Sequence, residues 1–247
     1  MEIAKGCAVK TSITTEFPVP EDFLKNAEAC CVIGGDGTLL SVVPSCIKWN
    51  VPVFGINQGK LGFLATFSAQ EASDGFKEIL EGNYQISERS MLQCHTANGK
   101  QAIALNDVVV KSQLPSRLIA LEVLSNEHLV TQYYCDGLIF ATPTGSTAYN
   151  LSAGGAIVHP RAKVLALTPI CPHTLSNRGL ILPDDTELRV RCLDNPTAAL
   201  LSLDGQILFK DEPIFPINIS KTKQPLSLLL MPYYSHFHIL RNKLNWG

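Results

Sequence analysis

Apolar and polar positions change rhythm near Tyr84. Before it, short apolar runs alternate with stretches of helical spacing. Ala29-Cys30-Cys31-Val32-Ile33 reads as a buried strand, and Leu39, Leu40, Val42, Val43 and Ile47 place a helix face over Thr38 to Lys48, bent at Pro44. Pro20-Glu21-Asp22 predicts a first helical turn, because proline is tolerated there and acids suit the positive end of a helix. Val51 to Ile56 reads as a second buried strand. Ser68 followed by Glu71 fits a capping box for a helix running towards Gly82. This alternation predicts a parallel sheet, in which ligands bind beyond the carboxyl ends of the strands.

After Tyr84 the pattern becomes one of short strands and tight turns. Asn98-Gly99 lies between two strand-like runs, as in a two-residue hairpin. Leu118 to Leu124 and Leu129 to Tyr134 flank the polar turn Ser125-Asn126-Glu127. Asp204-Gly205 separates Ala198–Leu203 from Gln206–Phe209, and Leu226 to Met231 supplies a further strand. Strands at this spacing predict an antiparallel sandwich. The expected fold is therefore an α/β domain, Rossmann-like and abbreviated, over residues 1–84. An all-β, sandwich-like domain follows over 85–232, with a cleft between the two. Residues 233–247 form a tail whose amphipathic segment, His236 to Trp246, folds back as a helix on the α/β domain.

Composition narrows the function. The 247 residues are 46% hydrophobic and 17% charged with a net charge of −2, which suits a globular protein that buries a sizeable core. No basic run points to nucleic acid. The longest apolar stretches fall far short of the roughly 20 residues that span a bilayer, and no leader pattern opens the chain, so no membrane partner and a cytoplasmic location are expected. None of the eight cysteines falls in a C-x-x-C spacing, and they read as buried free thiols.

Three polar constellations carry candidate chemistry. Gly34-Gly35-Asp36-Gly37-Thr38 joins a strand to a helix: the glycines let backbone approach a ligand, and the helix start offers N–H groups to an anion such as phosphate. A carboxylate in such a loop binds a metal, takes a proton or holds a hydroxyl. Thr142 to Asn150, running into Gly154-Gly155, is dense in hydroxyls that suit a base or ribose edge, and Tyr149 adds an aromatic face. Asp136 lies just upstream as an acceptor for ribose hydroxyls. Asn106-Asp107 interrupts an apolar run, as a bulge beside a ligand or an ordinary hairpin corner would.

The segments GGDGTLL, GINQGKLGFLA, ALND, DGLIFATPTGSTAYNLSAGG, LTPICPHTLSNRGLILP and LRNKLNWG occur in that order. Together they resemble the ATP-dependent NAD kinases from Ile33 to the end of the chain. The GGDG loop alone is shared with diacylglycerol and sphingosine kinases and phosphofructokinases, whereas the later blocks are specific. The resemblance implies transfer of the γ-phosphoryl of ATP to the 2′-hydroxyl of the adenosine ribose of NAD, giving NADP, with Mg²⁺ carried by the ATP phosphates.

By the same resemblance Asp36 is the catalytic group, as general base or hydroxyl orienter, and Gly34, Gly35 and Gly37 bring backbone amides to phosphate. Phe63 packs beside a base. Asn106 and Asp107 match the family's Asn-Glu pair at adenine and ribose, with Asp107 the shorter acid. Asp136 is placed near the nicotinamide end. Thr144, Thr147, Ala148, Tyr149, Asn150 and Ser152 surround the dinucleotide, and Gln206 and Arg117 match further contacts. Tyr134 stands where the family often has a basic residue. The family usually begins with a strand and a long helix ahead of the GGDG strand; 33 residues precede Gly34 here, with one recognisable strand around Cys7 to Ile13, so that first unit is expected to be shortened. The resemblance also implies a homo-oligomer. Two competing readings remain: a lipid kinase of the diacylglycerol type, and a catalytically silent dinucleotide-binding regulator.

Overall fold

The structure is a computed structural model that describes residues 9–57, 59, 62–68, 72–114, 117–195, 199–209 and 213–246. The chain divides into two compact units, one formed by 1–88 with 226–247 and the other by 89–225.

The first unit opens with β1 (Cys30–Ile33), α1 (Asp36–Trp49), β2 (Val53–Asn57), β3 (Phe67–Ser68), α2 (Ala72–Leu80) and β4 (Gln85–Arg89). β1 and β3 both pair with β2 in parallel. Helix α1 buries Leu39, Val42, Val43 and Cys46, an i, i+3, i+4, i+7 stripe; of the expected face Leu40 and Ile47 are half-buried, Cys46 takes the fourth buried place, and the helix continues through Pro44. It ends at Asn50, whose left-handed backbone donates to the carbonyls of Cys46 and Ile47.

Several expectations change here. Residues 20–26 form successive three-residue turns, Phe23 N–H to Pro20 C=O and Lys25 N–H to Asp22 C=O, instead of a helix. So short a segment does not offset the cost of helix nucleation. No strand forms over Val9 to Ile13, and Cys7 lies outside the described residues. Ser68 ends a strand instead of capping a helix, because Ser68 pairs with Asn57; the capping box's Glu71 lies outside the described residues.

The second unit comprises β5 (Leu92–His95), β6 (Gln101–Ala104), β7 (Asp107–Ser112), β8 (Ile119–Ser125), β9 (His128–Cys135), β10 (Gly137–Ala141), the single turn α3 (Tyr149–Ser152), β11 (Val164–Ile170), β12 (Leu180–Pro183), β13 (Leu188–Cys192), β14 (Ala199–Leu203), β15 (Gln206–Phe209) and β16 (Ile217–Lys221). Two six-stranded antiparallel sheets result, in the orders β12-β11-β10-β7-β14-β15 and β6-β5-β16-β13-β8-β9. Alternate residues of both enter one core, among them Val108, Val110, Leu121, Val123, Leu138, Phe140, Leu188 and Leu201. The expected hairpins form at 98–99, 126–127 and 204–205. In the last two, both turn residues have positive φ (Asn126 49°, Glu127 63°; Asp204 49°, Gly205 78°), the geometry that matches strand twist.

The chain then returns to the first sheet with β17 (Leu226–Leu230) and closes with α4 (His236–Leu244). The turn rhythm grouped β17 with the sandwich strands, but Leu228 pairs in parallel with Val53 of β2. Its near-continuous apolar run is what a parallel strand covered on both faces requires.

Candidate functional site

In the first unit the polar centre is Asp36, the first residue of α1. Gly35 precedes it in extended conformation and supplies no side-chain cap. Intrahelical bonding starts with Thr38 N–H and Leu39 N–H, both donating to Gly35 C=O, so the amides of Asp36 and Gly37 precede the helix's own ladder. A Cβ at Gly35 or Gly37 would meet nothing within 4 Å, so the space on that side of the loop is open. Gly34 differs: a Cβ there would lie 2.7 Å from Thr38 Oγ1, so this glycine serves packing.

The Asp36 carboxylate is clamped by the turn ahead of β3. Its Oδ2 accepts from Phe63 N–H at 2.8 Å, and its Oδ1 accepts from Leu64 N–H at 3.1 Å and Ala65 N–H at 2.9 Å. An ionised carboxylate offers about four acceptor directions. Three are taken, and the fourth, on Oδ2, is left for a ligand. Gly62 makes this approach feasible, since a Cβ there would overlap Oδ1 and lie 2.8 Å from the carboxylate carbon. Gly62 N–H in turn closes the turn on Ala65 C=O at 2.9 Å, and Gly55 of β2 leaves room for Ala65 beneath.

The second unit repeats the device. Asp204 Oδ2 accepts from Leu105 N–H at 2.8 Å, and its Oδ1 accepts from Asn106 N–H at 2.7 Å and Asp107 N–H at 3.1 Å. The Asn106-Asp107 pair is neither a bulge nor a hairpin corner: it is where the chain crosses from β6 in one sheet to β7 in the other. Asp107 is buried, at 4% exposure. Burial first, and the Asp204 charge second, push its carboxyl up to about 7. Burial also raises Asp204, against the lowering effect of its three N–H donors. Both carboxyls are thus raised, and a full charge on each at once is disfavoured.

Against this corner folds the hydroxyl-rich turn. Thr142 N–H donates to Asn106 C=O at 2.9 Å, Thr142 Oγ1 donates to Leu105 C=O at 2.6 Å and accepts from Gly145 N–H at 3.0 Å. A Cβ at Gly145 would stand 2.6 Å from the Asn106 Cα. Thr144 Oγ1 is buried without a partner. Thr147 and Ala148 are half-buried, while Tyr149 and Ser152 are exposed, as is Gln206 beyond the Asp204 turn.

Asn150 behaves otherwise. It has no exposed surface; its amide donates to Ser146 C=O and Ala156 C=O, both at 3.1 Å, and accepts from Thr168 Oγ1 at 2.6 Å. Its side chain holds the turn, and any contribution to a ligand comes through its neighbours.

Register separates two of the expected residues from this corner. Ala141 pairs with Asp107, whereas Gly137 pairs with Lys111 at the far end of β10. Asp136, exposed and bonded through its backbone to Ser112 and Ile170, thus lies roughly 17 Å away at about 3.4 Å per residue. Exposed Arg117, whose N–H donates to Leu114 C=O, belongs to that far end too.

Gly62, Leu64, Ala65, Asp204 and Thr168 join the site without having been singled out as site residues by the sequence. The LGFLA block and the Asp-Gly turn are visible signals, but the motif pattern draws only Phe63 and Gln206 from them.

Among the described residues no three His, Cys, Asp or Glu side chains converge as a metal site, and Asp36 has one acceptor direction left. Such a donor set does not form a protein cage for Mg²⁺, an ion that is commonly held by nucleotide phosphates. No helix among the described residues is long and apolar enough to cross a membrane.

Comparison with known proteins places this geometry. Residues 5–84 match the family model of the ATP-NAD kinase N-terminal domain, and residues 105–230 that of the ATP-NAD kinase C-terminal domain. The NAD kinase of Magnetococcus marinus is 38% identical over 254 residues, covering 100% of this chain and 82% of that protein. The NAD kinase of Thiobacillus denitrificans is 40% identical over 239 residues, covering 94% and 82%. Among solved structures, an NAD kinase from Archaeoglobus fulgidus in complex with ATP superposes with a TM-score of 0.83 at 27% identity, covering 100% of this chain and 93% of that one. Yeast NADH kinase complexed with NADH gives 0.79 at 30% identity, covering 91% and 67%.

Proposed function

The chain belongs to the NAD kinase family and is a kinase acting on NAD; on that premise we propose that Asp36 faces the 2′-hydroxyl of the adenosine ribose and that ATP is the phosphoryl donor. Nothing in the fold or the relatives favours a lipid kinase or a silent regulator. The observation that carries the reading is the open acceptor direction on Asp36 Oδ2, fixed by three backbone donors beside the unengaged amides of Asp36 and Gly37.

A ribose hydroxyl donating to that oxygen is oriented for in-line attack. The 2′-oxygen bonds to the γ-phosphorus, the bond to the β,γ-bridging oxygen breaks, ADP leaves, and the hydroxyl proton passes to Asp36 and on to solvent. Transition states of this kind are loose, so positioning and charge stabilisation dominate and proton removal comes late. The helix N-terminus supplies positive potential where phosphate charge accumulates. Mg²⁺ enters with ATP as part of that substrate and neutralises phosphate charge there.

Asn106, Asp107, Thr144, Thr147, Ala148, Tyr149, Ser152 and Gln206 are proposed to hold the dinucleotide, with Asn150 shaping their turn. Asp136 and Arg117 are proposed to contact a different part of the ligand, as their place at the far end of β10 requires. A homo-oligomer and a cytoplasmic setting complete the reading. The free thiols of the described cysteines suit a reducing compartment. Light scattering would give a multiple of the 26.9 kDa chain mass if the oligomer forms.

The test is Asp36→Asn, with NAD affinity measured by calorimetry beside turnover. Loss of the general base or hydroxyl orienter costs about 10²–10⁴ in kcat. An Asp36→Asn enzyme that binds NAD normally and keeps nearly full turnover removes Asp36 from the role.

A further inference from the structure

We propose that Asp204 is a positioning residue of the dinucleotide site. Its carboxylate fixes the backbone from which Asn106 and Asp107 project, and it stands beside the buried Asp107 carboxyl whose meeting with the ligand it helps to set. The proposal rests on the reading of Asn106 and Asp107 as dinucleotide contacts.

Three features carry it. Asp204 accepts from all three consecutive amides of 105–107, at 2.8, 2.7 and 3.1 Å, so no rotation of that segment leaves the clamp intact. The link is reciprocal: Asp204 N–H donates to Asp107 C=O at 3.0 Å, which locks the turn at 204–205 onto the start of β7. And Asp107 is buried at the strand end against whose preceding residues, Leu105 and Asn106, Thr142 and Gly145 pack.

The surroundings of Asp107 hold few charges. From β10 comes Ala141, from the turn after it Thr142, bonded to Leu105 and Asn106 next along the chain, and from the end of β14 Asp204. Among the described residues, Asp204 is the charged neighbour that acts on it. Burial first, and the neighbouring Asp204 second, disfavour a charge at Asp107. Asp107 then keeps a proton into the neutral range and can donate to an acceptor on the ligand. Above that range it becomes an anion facing a dianionic pyrophosphate ligand, and affinity falls.

The consequence is a pH dependence that belongs to the pair. In the wild-type enzyme, kcat/KM for NAD should lose about tenfold through an ionisation near 7 that reports the free enzyme. Asp204→Asn should lower that ionisation and raise the KM for NAD about tenfold with kcat within about threefold. Asp107→Asn, which keeps the backbone clamp, should abolish the ionisation.

Carboxyl carbon NMR of the ligand-free wild-type protein supplies a second reading that does not depend on Asp204→Asn folding. One aspartate should titrate near 7, and its signal should vanish in Asp107→Asn. A wild-type pH profile in Asp204→Asn with only a lowered melting temperature would overturn the proposal. So would assignment of the titrating signal to Asp204. Should the wild-type chain form no NADP, the kinase reading fails, while the titration still decides the coupling.

Discussion

Replacing Gly62 with alanine perturbs Asp36 without touching its chemistry. The added Cβ would overlap Oδ1, stand 2.8 Å from the carboxylate carbon and press on Ala65 C=O at 3.1 Å. Ordinary carbon contacts begin near 3.4 Å, so the carboxylate must withdraw by the better part of an ångström. Oδ1 is the oxygen that holds two of the three backbone donors, Leu64 and Ala65. Hydrogen bonds to a charged group contribute about 1.5–3 kcal/mol each. The site is half-open to solvent, which partly replaces what is lost. Weakening two bonds should therefore cost about 2–4 kcal/mol of stability. A misplacement of ~1 Å at a positioning group costs about 10²-fold in rate, so kcat should fall by that order while the Asp36 carboxylate remains present. Gly35→Ala is the control, because its Cβ meets nothing within 4 Å: stability should hold within about 0.5 kcal/mol while the KM for ATP rises. Urea denaturation and a coupled NADP assay read both quantities. A Gly62→Ala enzyme with wild-type midpoint and wild-type kcat would refute the clamp as the source of Asp36's placement.

Other outcomes follow from the same geometry. Asn150→Ala strands the buried Thr168 hydroxyl and Ser146 carbonyl and frees a part-buried Ala156 carbonyl, so stability should fall by about 3 kcal/mol by urea midpoint. Tyr149→Phe, on an exposed ring, should leave the midpoint within about 0.5 kcal/mol and act on the KM for NAD alone. Asp107 also writes itself into stability. Its folded pKa, raised to about 7 from 3.8, means the native state holds this proton more tightly than the unfolded chain. That contribution is complete below about 4 and is lost as pH rises through 7. The rise from 3.8 to about 7 corresponds to at most ~4 kcal/mol, at about 1.36 kcal/mol per pKa unit. Stability measured against pH from about 4 to about 8 should fall less steeply in Asp107→Asn than in the wild type, and parallel curves would count against the buried proton.

What the sequence showed and what it hid divide along a physical line. β1, α1 and the hairpins at 98–99, 126–127 and 204–205 were legible because each is specified locally, by burial periodicity or by turn residues that tolerate positive φ. The motif blocks carried the family, because they are contiguous runs of sequence. The membership of β17 was not legible, because an apolar strand reads alike in a sandwich core and in a parallel sheet, and only pairing with β2 decides. Long-range clamps were hidden too. Asp36 reaches residues 27 to 29 positions ahead, and Asp204 reaches back 97 to 99 positions. Nothing in either Asp-Gly dipeptide announces which amides it will hold. The resemblance set Asn150 beside the ligand, and its burial and its bonds to Ser146, Ala156 and Thr168, which no local pattern announces, give its side chain a supporting place. The gap between Asp136 and Asp107 is a matter of register along β10, which spacing in sequence does not reveal.

The most direct measurement is the fate of a γ-phosphate label. Purified protein is incubated with Mg²⁺, NAD and ATP labelled at its γ-phosphate, and the product is passed to a dehydrogenase that accepts only the 2′-phosphorylated dinucleotide. The account predicts label in NADP, in step with ADP, at a rate reduced about 10²–10⁴-fold by Asp36→Asn. ADP formed without labelled NADP, or labelled NADP formed as fast by the Asp36→Asn enzyme, would contradict it.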